Sequence, residues 1–270
     1  MEAKKSFDKE SDYFNPGPGT LTISFLGHGS LAMELDDFVV YVDAVSDYGI
    51  YTRYPKADLI LVTHEHADHL DGGVIKTVSK PGTRLVLSPP ARNKLGTGEV
   101  LRHGETLKIP VPSWKSEIEI KAVPAYNISE GRTHFHPEGR GDNGYLLGIG
   151  SLRIYLAGDT EDIPEMSDLG PVDIAFLPMN QPYTMLPEQV ASAARRIKPS
   201  ILYPYHYGNS DTARLLKLLE DEKDMEIRIR KMQRSREKRR PGDSGRRGAS
   251  DTLESSERSG DFRGHVDRFC

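Results

Sequence analysis

Three short apolar runs, LTISFLG from Leu21, LAMEL from Leu31 and FVVYVD from Phe38, follow one another with only GHGS and DD between them. Turn residues at that spacing predict successive antiparallel strands. ADLILVTH is a fourth candidate, a continuous apolar run of the kind buried on both faces of a sheet. Further strands are predicted at TRLVLS from Thr83, IEIKAV from Ile118, GYLLGIG from Gly144, LRIYLAG from Leu152, VDIAFLP from Val172 and SILYPYH from Ser200. Helices are predicted after the histidine-rich stretch that leaves ADLILV, at PEQVASAARRIK (187–198), where proline takes the favoured first turn, and at 211–219. Strands come first in a run and then alternate with helices. That order predicts a mixed α/β domain of sheet and helix layers rather than a simple doubly wound sheet. No internal repeat is evident.

The two ends break the pattern. Residues 1–19 are polar and close on NPGPG, which predicts a loose N-terminal arm leading into a domain spanning 20–232. Residues 233–270 hold eleven Gly or Ser and only four Val, Leu, Ile or Phe. So few apolar side chains do not offset the entropy of ordering, and a disordered tail is expected.

Charged residues make up 28% of the chain and hydrophobic ones 37%, which suits a soluble domain. No apolar run approaches the ~20 residues of a membrane helix. The N-terminal lysines have no apolar core behind them, so no signal peptide is read and a cytoplasmic location is expected. The single cysteine, Cys270, excludes an internal disulfide. Net charge is −4, yet residues 1–232 carry 26 Lys/Arg against 33 Asp/Glu. An acidic body argues against nucleic acid as a partner, because phosphate backbones call for basic surfaces.

The chemistry concentrates in VTHEHADHLDGG, Val62 to Gly73. His64 and His66 are two apart, so in an extended segment leaving a strand their imidazoles point to one side. Asp68 and His69 follow where the chain turns. Three imidazoles and a carboxylate at one strand end are a donor set for zinc, iron or manganese. Two other apolar runs end on a candidate ligand: YLAGDT presents Asp159 and YPYHYG presents His206.

These residues resemble the metallo-β-lactamase fold hydrolases, marked by a His-X-His-X-Asp-His motif that here is His64, His66, Asp68 and His69. Asp159 matches the family's bridging aspartate, His206 its final histidine, and Asp43 in VVYVDAVS the aspartate that supports the histidine-rich loop. FLGHGS, VPAYN, YLAGDTEDIPEM and YPYHYG are similar to the branch that includes L-ascorbate-6-phosphate lactonase and N-acylphosphatidylethanolamine phospholipase D. The resemblance covers about Thr20 to Gln233. It implies an αββα four-layer sandwich in a single domain. It also implies two divalent ions, zinc first with manganese or iron as alternatives, and a metal-bound hydroxide that attacks a small-molecule ester, lactone or phosphoester. Asp68 would orient the nucleophile and handle a proton. Self-association is common in such families.

One departure stands out. The branch places a histidine after PA-X, and here PAYN puts Asn127 at that position. His136, in THFHP, is the candidate to replace it as ligand or to contact substrate, with His134 nearby. His28 in GHGS is a candidate near the pocket floor, and Tyr126 and Tyr183 are candidates to stabilise a developing oxyanion. Two alternatives stay open: an RNA-processing nuclease of the same fold, and a metal-binding protein without hydrolysis, either redox or sensor.

Overall fold

The computed structural model describes residues 7–232, so the expected tail 233–270 lies outside the described residues. Strands β1 (Ser11–Phe14), β2 (Leu21–Gly27), β3 (Ser30–Leu35) and β4 (Phe38–Val42) pair antiparallel in that order. Strands β5 (Leu59–Val62), β6 (Arg84–Leu87) and β7 (Glu99–Val100) then add in parallel. The second sheet follows the same scheme. Its strands β8 (Thr106–Val111), β9 (Ser116–Pro124), β10 (Asn143–Ile149) and β11 (Leu152–Leu156) are antiparallel. Strands β12 (Ile174–Pro178), β13 (Ile201–Tyr205) and β14 (Glu226–Ile227) are parallel. The two halves therefore repeat in topology although no repeat shows in the sequence. What recurs is strand direction and the place of certain residues: Asp43 directly follows β4, and Asp159 follows its counterpart β11.

Period-two alternation places the layers. Leu59 and Leu61 of β5 enter the core between the sheets, while Ile60 and Val62 pack with Val74, Ile75 and Val78 of α1 (Gly72–Val78) and Ala91 of α2 (Pro89–Leu95). All four β5 side chains are buried, each contributing roughly 1.5–3 kcal/mol of transfer free energy. On the other side α3 (Pro187–Ile197) buries Val190, Ala191, Ala193, Ala194 and Ile197, and α4 (Thr212–Leu218) buries Leu215. The result is the expected sequence of layers, helix, sheet, sheet, helix.

Every predicted strand and helix is present, and five elements escape the hydrophobic pattern. Strand β1 lies within the stretch read as an arm: Ser11–Phe14 sits at the edge of the first sheet, where polar side chains serve. Strand β8 contains Pro110, tolerated because this strand is the opposite edge of the second sheet. Helix α2 buries only Ala91 and so offers no apolar stripe. Strands β7 and β14 are two residues each. Among the described residues no helix is long and apolar enough to cross a membrane.

Candidate metal centre

Asp43 leaves β4 with φ +44°, and its carboxylate reaches across to the strand beside it. Oδ1 accepts from the Thr63 N–H at 2.8 Å, and Oδ2 accepts from the Thr63 hydroxyl at 2.7 Å and from His69 Nδ1 at 2.8 Å. A carboxylate only accepts, so His69 carries its proton on Nδ1 and turns a bare Nε2 into the cleft. The Thr63 hydroxyl, having donated to Asp43, accepts from His64 Nδ1 at 2.9 Å, which leaves His64 Nε2 bare as well. One buried aspartate thereby sets two tautomers.

Asp159 lies at the centre of what faces that pair. It follows Gly158, whose φ of +66° and whose absent Cβ, which would stand 2.6 Å from the Asn143 carbonyl oxygen, both require glycine. Around its carboxylate stand four imidazole Nε2 atoms, of His64 at 3.8 Å, His69 at 3.4 Å, His136 at 3.5 Å and His206 at 3.3 Å. Asp68 Oδ2 lies 3.0 Å from His28 Nε2 and 3.5 Å from His206 Nε2. The donors form two overlapping groups. His64, His66 and His136 converge on one side and Asp68, His69 and His206, with His28, on the other, while Asp159 closes on His64 and His69 between them.

This set fits divalent ions. His69 Nε2, both ring nitrogens of His136 and of His206, Asp68 Oδ1 and Asp159 Oδ1 are buried with no hydrogen-bond partner. Orphaned buried polar atoms cost ~1–3 kcal/mol each, and native proteins tolerate few. His64 Nε2 and His66 Nδ1 are 3.1 Å apart, close to the ~3.3 Å that two nitrogens ~2.0 Å from one tetrahedral zinc would show. Burial pushes His64 well down, lowers His66 and takes His136 to about 3, so these imidazoles are neutral donors at pH 7. Burial opposes the charge of Asp159 and Asp68 too, yet His206 and His69 around Asp159, and His69, His206 and His28 around Asp68, hold both carboxyls far below their ordinary value. His69 runs the other way. Burial disfavours its cation, but Asp159, Asp68 and Asp43 together raise it well above the usual imidazole range, so these carboxylates favour a positive charge at Nε2, which a divalent ion would supply in place of a proton.

The structure brings together every residue expected in the centre except Asn127. Its side-chain amide donates to the backbone carbonyls of Arg132 at 3.2 Å and Tyr183 at 2.8 Å, and its N–H donates to the His136 carbonyl at 2.8 Å. Asn127 thus pins the loop, and His136, at the other end of that loop, fills the place beside His64 and His66. His136 stands among the donors, with His64 and His66. His134 is exposed and stacks on Phe135. Tyr126 is not aimed at an oxyanion: its hydroxyl donates to the Glu165 carboxylate at 3.0 Å. The Tyr183 ring packs edge-on against Phe135, 4.9 Å away. Asp71, the second aspartate of the histidine-rich stretch, caps α1 by accepting from Gly73 and Val74 N–H.

Backbone strain marks the same place. Of the six non-glycine residues with positive φ among the described residues, Asp36, Lys115 and Lys198 occupy turns or a helix end. His28, Asp43 and His206 all belong to the cleft. Such conformations cost ~1–3 kcal/mol each and persist where the surroundings enforce them. His28 is held from both sides: its N–H donates to the Met232 carbonyl at 2.5 Å, its carbonyl accepts from His206 N–H at 3.0 Å, and its ring lies 3.5 Å from that of His206. Pattern reading misses three further residues. Thr63 relays Asp43, Arg140 presents Nη1 3.1 Å from His66 Nε2 while pairing with Asp142, and Glu161 anchors the loop that carries His136. Their side-chain types are common in loops, and only tertiary contact reveals them.

Four layers with this donor set at their strand ends are the mark of one class of protein, the metal-binding proteins of the metallo-β-lactamase fold. The model of the β-lactamase superfamily domain matches residues 22–206, a span that contains every candidate donor. The UPF0173 metal-dependent hydrolase of Pyrococcus furiosus is 31% identical over 196 residues, covering 69% of this chain and 84% of its own. A crystal structure from Parabacteroides distasonis, of a protein described as a metal-dependent hydrolase, has a TM-score of 0.78 at 49% identity, over 83% of this chain and 100% of that one. A metallo hydrolase of Ignicoccus hospitalis shares the fold at 20% identity and a TM-score of 0.62, over 77% and 94% of the two chains. The chain belongs to the β-lactamase superfamily and is one of its metal-dependent hydrolases.

Proposed function

We propose that the protein hydrolyses a small-molecule ester, lactone or phosphoester with two divalent ions, zinc in the first place. The observation that carries this reading is the Asp159 carboxylate, faced by the Nε2 atoms of His64, His69, His136 and His206 within 3.8 Å. In this reading His64, His66 and His136 would hold one ion and Asp68, His69 and His206 the other, with Asp159 between the two groups. Such ions supply Lewis acidity and bring the pKa of bound water toward ~7, so a nucleophile exists at neutral pH.

The protein's own groups do the rest. His28 is neutral at pH 7, because burial and then the neighbouring His206 push it down to about 4. Its Nε2–H donates to Asp68 Oδ2 and fixes that carboxylate's rotation. Asp68 Oδ1, buried and without a protein partner, is the atom placed to take the proton of attacking water and return it to the leaving group. An open groove of about 470 Å³, lined by Tyr126, Asn127, Ile128, Thr133, His134, Pro137 and Glu138, runs along the His136 loop beside the centre. The branch of L-ascorbate-6-phosphate lactonase and N-acylphosphatidylethanolamine phospholipase D directs the choice of substrates to test. Lactones and phosphodiesters are to be screened with the zinc-loaded protein and with Asp68→Asn. Turnover that falls by at least 100-fold in the variant supports the mechanism, and an Asp68→Asn enzyme with full activity overturns it.

A further inference from the structure

Between Asn127 and His136 the chain closes a loop, its two ends joined by the Asn127 N–H to His136 carbonyl bond. Against that loop lies an ion pair between a buried carboxylate and a partly exposed guanidinium. Glu161, fully buried and two residues after Asp159, places Oε1 2.8 Å from Arg132 Nη2, and its Oε2 accepts from Ile128 N–H at 2.8 Å and Ser129 N–H at 2.6 Å. Arg132 is held further by Gln181 Oε1 at 2.6 Å and Ser129 Oγ at 2.7 Å, and its carbonyl accepts from Asn127 Nδ2. Burying a carboxylate and a guanidinium is costly, and apolar replacements of equal volume commonly stabilise as well or better. Glu161 Oε1 is buried and has no hydrogen-bond partner beyond this ion pair, so the pair is better explained by the geometry it enforces than by the stability it adds. The geometry it enforces is that of the loop ending on His136.

We propose that Glu161 and Arg132, with Asn127, are positioning residues that set His136 against His64 and His66, so that affinity for one of the two ions is governed by a pair that never touches it. This inference rests on His136 being a ligand in the proposed centre. Asp159 and Glu161 lie on one short segment, so the carboxylate that faces both donor groups and the anchor of the replacement ligand move together.

The test is zinc titration of the full chain against a competing chelator, with ions per chain counted by elemental analysis. The variants are Glu161→Gln, Arg132→Met, Arg132→Lys, the double variant Glu161→Gln/Arg132→Met, and His136→Ala. Folded Glu161→Gln and Arg132→Met proteins are expected to lose ~10–100-fold in affinity for one ion and keep the other unchanged. Arg132→Lys, which retains the charge but not the fork, recovers part of the loss. If a single variant does not fold, the double variant, which leaves no unpaired charge, takes its place. Unchanged affinities, or an equal fall at both ions, overturn the inference. His136→Ala separates the two levels. If it still binds two ions with full affinity, the ligand reading itself is wrong, whereas loss of one ion there with intact binding in the Arg132 variants removes only the positioning role.

Discussion

His28 Nε2 donates to Asp68 Oδ2 across 3.0 Å, joining the β2–β3 turn to the histidine-rich loop forty residues later. The bond leaves Asp68 one committed oxygen and one free one. His28→Ala removes the donor and lets the carboxylate rotate, so kcat is expected to fall ~10–100-fold with a small change in KM. His28→Gln, whose amide can donate in the same direction, restores part of it. Steady-state kinetics on the best substrate of the screen decides the matter, and a His28→Ala enzyme with wild-type kcat dismisses the positioning of Asp68.

Asp43→Asn sets an amide against two donors, His69 Nδ1 and the Thr63 hydroxyl. Zinc affinity is expected to drop ~10–100-fold, and the urea midpoint to fall as buried donors lose their acceptor at ~1–3 kcal/mol each. Chelator competition and urea denaturation measure the two effects separately. Loss of stability with zinc affinity intact would show that Asp43 supports the loop without tuning its ligands.

Removing metal exposes the cost of the orphaned donors. An ion present at 100 times its Kd stabilises the fold by ~2.7 kcal/mol, which for a domain of this size is ~5–11 °C in Tm. Thermal melts with and without chelator should differ by that order and converge again on adding zinc. Superimposable melts would mean that the cleft holds no structural ion.

A pH dependence is expected far from the centre. Burial alone would raise the Asp12 carboxyl, but the Tyr203 hydroxyl, Arg230 and Arg228 overcome it and lower its pKa below 3.8. Arg230 Nη2 approaches Asp12 Oδ2 to 2.8 Å and Arg228 Nη1 to 3.3 Å. A depressed carboxyl contributes stability at pH values above its unfolded value, and that contribution disappears as pH falls through the folded one. Asp12→Asn should therefore cost ~1–2 kcal/mol at pH 7, and the gap from wild type should narrow below pH 3.8. Urea midpoints at pH 7 and pH 3 check it, and a gap that is constant with pH rules out the ionised form as its source.

The sequence lays most of this structure open because most of the signals are local. Val62 to Gly73 reads as a metal loop since four donors fall within six positions behind a buried strand. Asp159 and His206 are legible for a similar reason, each standing just past an apolar run that must be a strand. His136 is harder to read: it lies on an irregular loop, and the pair that shapes that loop joins Arg132 to Glu161, twenty-nine residues away. Thr63 and Arg140 are invisible to pattern, because a threonine at a strand end and an arginine in a loop acquire meaning only from Asp43 and His66 across the fold. The N-terminal strand was hidden for another physical reason, since an edge strand tolerates the polar composition that reads as an arm.

The bond from His28 N–H to the Met232 carbonyl has a consequence for how the protein is made. A growing chain leaves the ribosome N-terminus first, so the His64–His69 cluster emerges well before His206 and before Met232, the residue whose carbonyl holds the His28 turn. An ion that meets the nascent chain finds half a coordination sphere. The last candidate donor, His206, follows only when most of the domain has been made, and the Met232 carbonyl that holds the His28 turn comes later still. Chains cut short of residue 232 are therefore expected to lack the bond that holds His28 beside Asp68 and His206.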